Sequence, residues 1–223
     1  MGIKYKNRIR DIGRLVSIMK DLKRVFEERR SVNFFDRNKK IDDETFKNII
    51  NLATLSPSSF NFQPWEVIAV KSDAYKQKLY NESCNQPKVL EAPITLLIIG
   101  HKHGYFRENP IWDEKIKLGL TEEKIQGIID YSEKNLYSTE EKKVAFAARN
   151  SSLLAMSIMY AAKYYGVDSH PMIGFDEDKA KEIFNIEDNK IVTMMISLGY
   201  FDEGHELHPR EKRFNYNDIV KEY

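Results

Sequence analysis

Several features that would assign a function class at once are scarce or missing from this sequence. Of its 223 residues only Cys84 is a cysteine, so no internal disulfide can form and a cytoplasmic setting is expected. A catalytic thiol needs a base beside it, and none stands near Cys84, which reads as structural. The longest apolar run, Ile94 to Ile99, is far too short to span a bilayer, so no membrane association is expected. The basic first ten residues are not followed by an apolar stretch, which argues against a signal peptide. Net charge is nearly absent: 35 Lys and Arg against 34 Asp and Glu leave +1, unlike a general nucleic-acid binder. There is no P-loop, no G-x-G-x-x-G and no G-x-S-x-G elbow. No internal repeat or low-complexity tract interrupts the chain.

What remains is an ordinary globular composition, 42% hydrophobic and 31% charged, ample for a packed core. The charge is uneven. Residues 1–40 hold 13 Lys and Arg against 5 Asp and Glu, a balance of +8 that leaves −7 for the rest. The first 17 residues form a basic arm, for which a solvated helix face is the simplest reading. No recognition motif or interleaved aromatics accompany those charges, so no nucleic-acid partner is expected. Two metal-like patterns fail on spacing. His101-Lys-His103 is a bare pair, and His205-Glu-Leu-His208 does not put its imidazoles four residues apart. No metal is expected.

Leu15, Ile18, Met19, Leu22, Val25 and Phe26 recur at helical spacing, and that helix ends near residues 28–30. Asp42 is a good N-cap for a second helix whose apolar face is Phe46, Ile49, Ile50 and Ala53. A strand from Glu66 to Val70 and a short helix from about Asp73 to Tyr80 follow. Ile94 to Ile99 fits a strand buried on both faces. Residues 101–143 are charged and carry Tyr105, Phe106, Trp112, Tyr131 and Tyr137, with helical pieces near 113–118 and 121–135. They read as an insertion on the surface of the fold. Val144 to Tyr165 is the most apolar helix, thinned by Ala and Ser and closed by Gly166. After it, "HPMIGFD" (170–176) reads as a short loop, Glu177 to Phe184 as a helix, and Ile191 to Tyr200 as a strand with Val192, Met194 and Ile196 on one face. The fold class is α+β, with a central sheet among dominant helices.

Four constellations can carry chemistry. Arg29-Arg30-Ser31 offers two guanidinium forks and a hydroxyl to a phosphate or carboxylate, although cations at a helix end also balance its dipole. "PSSFNFQPW" (57–65) concentrates Ser58, Ser59, Asn61 and Gln63 between apolar segments, either as a capped turn or as a surface that reads a heterocycle. The "HPMIGFD" loop can aim backbone N–H groups at a ligand, or simply lead into the N-cap Asp176. The basic stretch Arg210 to Arg213 is the fourth, and such a cluster is usually just solvated.

Taken in order, "ERRSVNFF" (28–35), "LSPSSFNFQPWEVIAV" (55–70), "NQPKVLEAP" (85–93), "AAKYYGV" (161–167), "HPMIGFD" and "MMISLGYFDE" (194–203) resemble the nitroreductase family of FMN-dependent oxidoreductases. The resemblance spans roughly residues 18–216. It implies one domain over 18–223, a mainly antiparallel sheet surrounded by helices, and an interlocked homodimer with two FMN sites at the subunit interface. It also implies that NAD(P)H reduces the flavin, which then reduces a small acceptor such as a nitroaromatic or a quinone, in ping-pong fashion. The insertion 101–143 would lie over the flavin.

By the same resemblance, Arg29, Arg30 and Ser31 match the positions that hold the phosphate and ribityl chain, and Arg213, with Lys212 or Arg210 beside it, matches the carboxyl-terminal phosphate clamp. Pro57, Ser58, Ser59 and Asn61 match the segment that meets the flavin from the partner subunit. Gln63 matches it too, with a role in the fold as the alternative. Asn85 and Lys88 match positions at the pyrimidine edge, and Met172, Ile173 and Gly174 the loop facing flavin N5. No catalytic side chain is required beyond the flavin. Asn33 matches a further cofactor-binding position, at the ribityl or N1 contact, where relatives often carry a third basic residue, and Ile173 stands where some carry an acid. The tail lacks the common Leu-Pro after Arg213. Two other readings stay open: a reductive dehalogenase-like flavoenzyme, and a non-enzymatic protein that binds FMN to sense or store it.

Overall fold

The structure, a computed structural model of the chain, describes residues 22–223. The basic arm and the first half of the predicted first helix lie outside the described residues. Residues 22–28 are helical (α1).

The fold is organised around the strand Ile94–His101 (β2), in which every residue from Ile94 to Gly100 is buried. It lies inside a four-stranded antiparallel sheet of order β1-β2-β4-β3, formed with Trp65–Val70 (β1), Asp168–Met172 (β3) and Lys190–Gly199 (β4). Alternation along β2 feeds two cores. Leu96 and Ile98 meet Ile49 and Ala53 of α2 (Asp43–Ala53) and Leu154 and Ile158 of α7 (Glu140–Tyr164). On the opposite face, Leu97 and Ile99 join Leu79 of α3 (Asp73–Leu79), Val89 of α4 (Lys88–Glu91) and Ile183 of α8 (Glu177–Phe184). A Cβ at Gly100 would stand 2.8 Å from the Ala147 carbonyl oxygen, so the α7 backbone rests directly on β2 there.

Helix ends follow their local signals. Asp42, Thr139 and Asp176 accept from the backbone N–H groups of Thr45, Lys142 and Lys179. Gly166 takes a left-handed φ of 75° just past α7. Helix α7 starts at Glu140 rather than Val144. Its first turn is solvated and charged, so no apolar periodicity marks it.

Two sequence expectations are corrected. The stretch expected to be a loop is in part β3: Asp168–Met172 pairs with β4 from Asp168↔Gly199 to Met172↔Met195. Pro171 has no N–H for a ladder, but β3 is an edge strand, where proline is tolerated. The second correction concerns β4. Its pairing with β2 steps from Ile98↔Met194 to Ile99↔Val192, a β-bulge. One extra residue reverses the alternation. Val192 therefore packs with Met195 in one core, while Met194 and Ile196 pack in the other.

The stretch after β2 builds a satellite core. Tyr105 and Trp112 are fully buried with Phe62, Phe146, and Ile125 and Ile129 of α6 (Glu122–Tyr131). The short helix α5 (Ile111–Lys117) carries Trp112, whose indole N–H donates to the Phe106 carbonyl at 2.9 Å. These two large rings are packing residues, not a stacking surface for a ligand. Beyond β4 the chain is exposed from Glu203 to Tyr223, broken only by the one-turn helix α9 (Tyr216–Ile219).

Candidate functional site

The predicted site residues fall into two groups. The first gathers at the β3 edge. Ser31 forms a β-bridge to Ser169, and the Val32 N–H donates to the Ser169 carbonyl at 3.2 Å. That bridge fixes residues 29–33 beside β3. The tail then closes on the same spot: Arg210 Nη2 donates to the Glu27 carbonyl at 2.5 Å, and Arg30 donates to the His208 carbonyl.

The result is a concentration of positive charge. Arg29 is half-buried, and its Nη1 is fully buried without a hydrogen-bond partner among the described residues. Burial lowers the Arg29 pKa, and the charges of Arg210, Arg213 and Arg30 lower it further, against a raising influence from Tyr160. A guanidinium held among like charges, with one N–H group unmet, is arranged for an anion. Lys212 is exposed and is not among the cations acting on Arg29.

A few residues further along the same edge sits Lys88. Its ammonium reaches Asn33 Oδ1 at 3.3 Å, Gln86 Oε1 at 3.4 Å and His170 Nε2 at 3.2 Å. Gln86 Nε2 in turn donates to the Gly174 carbonyl at 3.0 Å. These contacts draw segments 31–33, 85–88 and 170–174 together. Met172 points into the core, Ile173 is 79% exposed, and Asn85 is an exposed left-handed residue with φ 46°. Burial pushes His170 down to about 4, and the Lys88 charge adds to the shift. A folded value below the free imidazole's makes the sign plain. The stability gained by keeping His170 neutral is complete above about pH 6.5 and is lost as pH falls toward about 4.

The second group, residues 57–63, runs into β1 at the other edge of the sheet. Phe60, Asn61 and Gln63 all adopt positive φ (51°, 57° and 47°), an uncommon cluster for side chains without glycine's freedom. The surroundings hold it there. The Ser59 N–H donates to Asn150 Oδ1 at 2.8 Å, Ser59 Oγ lies 3.1 Å from the Tyr137 hydroxyl, and the Gln63 N–H donates to Ser58 Oγ at 2.9 Å. Pro57, Phe60 and Asn61 are exposed.

The two groups are not brought together within one chain. Met172 stands opposite Met195, Met195 opposite Leu97, and Leu97 opposite Ile68. Three strand spacings put the sheet edges about 14 Å apart.

Sequence reasoning missed Asn150, Tyr137, Gln86 and His170 as members of these networks. Asn150 had a signal: it is an amide in the middle of the most apolar helix. It is buried, and its Nδ2 donates to the Phe146 carbonyl at 2.7 Å. Asn150→Ala should therefore cost about 1–3 kcal/mol by leaving the Ser59 N–H unmet. Urea unfolding would measure that loss, and faster proteolysis within residues 57–63 would locate it.

Elsewhere the imidazoles have ordinary partners. His101 Nε2 lies 3.2 Å from Glu66 Oε2, and His103 and His205 stack on Phe106 and Phe34. Among the described residues no group of three or more His, Cys, Asp or Glu side chains could hold a metal ion. Nor is any described helix long and apolar enough to cross a membrane.

An antiparallel sheet clasped by helices, with a cation cluster and an amide-lined lysine along one edge, defines an α+β protein suited to an extended anionic cofactor. The comparisons narrow this. A family model described as the nitroreductase family matches residues 26–200. MhqN of Bacillus subtilis, which carries an NAD(P)H nitroreductase name, is 32% identical over 208 residues, 91% of this chain and 99% of that protein. The solved structure of ydfN from Bacillus subtilis superposes with a TM-score of 0.83 at 32% identity, covering 92% of this chain and 100% of that one. A nitroreductase-type protein of Exiguobacterium sibiricum, solved in complex with FMN, gives a TM-score of 0.75 at 25% identity over 90% of this chain and 96% of its own. The chain belongs to the nitroreductase family.

Proposed function

We propose that this protein is an FMN-dependent oxidoreductase that passes a hydride from NAD(P)H to nitroaromatic, quinone or related small acceptors. The observation that carries the reading is Arg29 Nη1, buried and unmet among Arg30, Arg210 and Arg213. A phosphate monoester is the ligand such a cluster fits, since each guanidinium can donate two parallel bonds to it. The remaining donors suit the rest of FMN. Ser31 and Asn33 follow the arginines along the edge, where a ribityl chain would lie. Lys88 would face the pyrimidine, and the backbone of Met172, Ile173 and Gly174 the ring. When bound, FMN accepts a hydride from the nicotinamide and delivers it to the acceptor.

The chain's own contribution is positional and electrostatic. The arginines would anchor the phosphate, and Lys88 would stabilise negative charge on the pyrimidine. No side-chain acid or base is needed for that role. Residues 57–61 of a second copy would complete the site, which supports a homodimer. Leu52, Leu153 and Tyr164 on α2 and α7, Leu55 just past α2, and Phe214, Tyr216 and Ile219 in the tail are exposed apolar residues that a partner would cover. Residues 101–143 would then border the acceptor's approach.

The purified protein should show a flavin absorption band, as isolated or after adding FMN, that bleaches anaerobically with NADH or NADPH. A flavin that stays oxidised with both donors would turn the reading to a sensor or store. No uptake of FMN at all would overturn it.

A further inference from the structure

Among the described residues no acidic side chain lies within ion-pairing distance of Lys88; its three contacts go to neutral acceptors on three different segments. Two of them, Asn33 Oδ1 and Gln86 Oε1, are amide oxygens. The third is a ring nitrogen whose state is fixed by the far side of the ring. His170 Nδ1 lies 2.8 Å from the Val32 carbonyl oxygen, which can only accept. Nδ1 therefore carries the proton, and Nε2 is left with a lone pair. That lone pair faces the Lys88 ammonium at 3.2 Å.

We propose that His170 is a positioning residue: its Nε2 lone pair holds the Lys88 ammonium at the cofactor's edge without adding a counter-charge beside it. The inference rests on the reading that FMN occupies this site with Lys88 at its pyrimidine. The logic is one of neutral restraint. A carboxylate at the same place would hold Lys88 as firmly but cancel its field. An imidazole lone pair fixes the geometry and adds no counter-charge of its own, so that only the more distant Glu91 carboxylate acts on the ammonium.

The surroundings keep the ring in that state. From α4, His170 is faced by Lys88, with Glu91 one turn further along and drawn toward the Phe35 N–H and Arg37. The preceding turn brings Cys84, whose thiol is held neutral by burial. Across the sheet His170 pairs with Ser197, whose hydroxyl does not titrate, and segment 31–33 offers only the Val32 carbonyl. On β3 itself Asp168 is occupied by Lys163 and the Phe201 N–H. Burial and the Lys88 charge both oppose protonation, in line with the geometry.

Two substitutions separate the ring's two contacts. His170→Asn places its side-chain amide as many bonds from Cα as Nδ1, so it can still donate to Val32 but offers Lys88 nothing. His170→Gln extends one bond further and can offer an amide oxygen in place of Nε2. With protein titrated with FMN, the midpoint potential of the bound flavin is the readout. His170→Asn should weaken binding of reduced relative to oxidised FMN about tenfold, a fall of about 30 mV in midpoint. His170→Gln should keep the wild-type midpoint. In a Lys88→Met background His170→Asn should change nothing further, because its effect passes through the lysine.

Wild-type midpoints in His170→Asn would overturn the inference while leaving the FMN reading intact. A shift that persists without Lys88 would also overturn it, since His170 would then act on the flavin directly. Failure of the wild-type protein to take up FMN would remove both.

Discussion

Arg29→Met is expected to cost FMN binding about 3–4 kcal/mol, on the order of 10²- to 10³-fold in affinity, without destabilising the cofactor-free protein. The two halves of this result have one cause. Arg29 is half-buried among Arg30, Arg210 and Arg213, with its buried Nη1 unmet among the described residues. Without a ligand the guanidinium bears desolvation and like-charge repulsion, and among the described residues only the influence of Tyr160 opposes them. Methionine keeps much of the apolar stem's packing and removes the charge. The cofactor-free variant should unfold at an equal or higher urea concentration than the wild type. Once FMN is added the order should reverse, because only the wild type gains the binding free energy. Calorimetric titration and urea unfolding with and without FMN measure both halves. Arg29→Lys should fall between, since an ammonium keeps the charge but loses the two-pronged geometry. A variant that binds FMN as well as the wild type would sink the phosphate assignment.

What the sequence made legible follows the range of the interactions involved. Helices were legible where a cap and a periodic face sit within a few residues, as at Asp42, Asp176 and Gly166. The buried strand at Ile94 to Ile99 was legible because an unbroken apolar run has few alternatives. The β4 bulge was not. It is a property of pairing with β2, and Val192 changes face for a reason that lies on another strand. Strand β3 was hidden for a similar reason. Asp168, His170 and Pro171 carry loop chemistry, and only an edge position beside β4 makes them a strand.

The candidate site divides the same way. Arg29 to Ser31 and the tail arginines could be picked out as separate basic patches. Their convergence could not be, because backbone carbonyls at Glu27 and His208 draw the tail in across more than 170 residues of chain. Residues that act through a tertiary contact left weaker marks. Tyr137 looked like one aromatic among several, yet its hydroxyl meets Ser59. His170 opened a motif that was read through its backbone, while its ring went unassigned. Asn33 looked like a lost cation; in the fold its amide oxygen meets a cation supplied by Lys88.

The separation of the two site groups leads to the second large effect. If one ligand uses both, residues 57–61 must come from another copy, since within a chain they lie at the opposite sheet edge. Two defective chains should then complement each other. One would carry Arg29→Ala and Arg30→Ala, and the other Ser59→Ala and Asn61→Ala. Each homodimer should hold little FMN. Coexpressed with different affinity tags and purified through both, a heterodimer with shared sites would contain one site with both lesions and one with neither. It should bind about one FMN per two chains, against about two for the wild type. The stoichiometry is what decides. Sites built within single chains would leave every site in the heterodimer damaged, and no flavin would return. Recovery of about half would mean that each site is shared, which gives the left-handed turn at Phe60 and Asn61 a purpose. Its strain would then serve to present side chains outward to a neighbouring subunit.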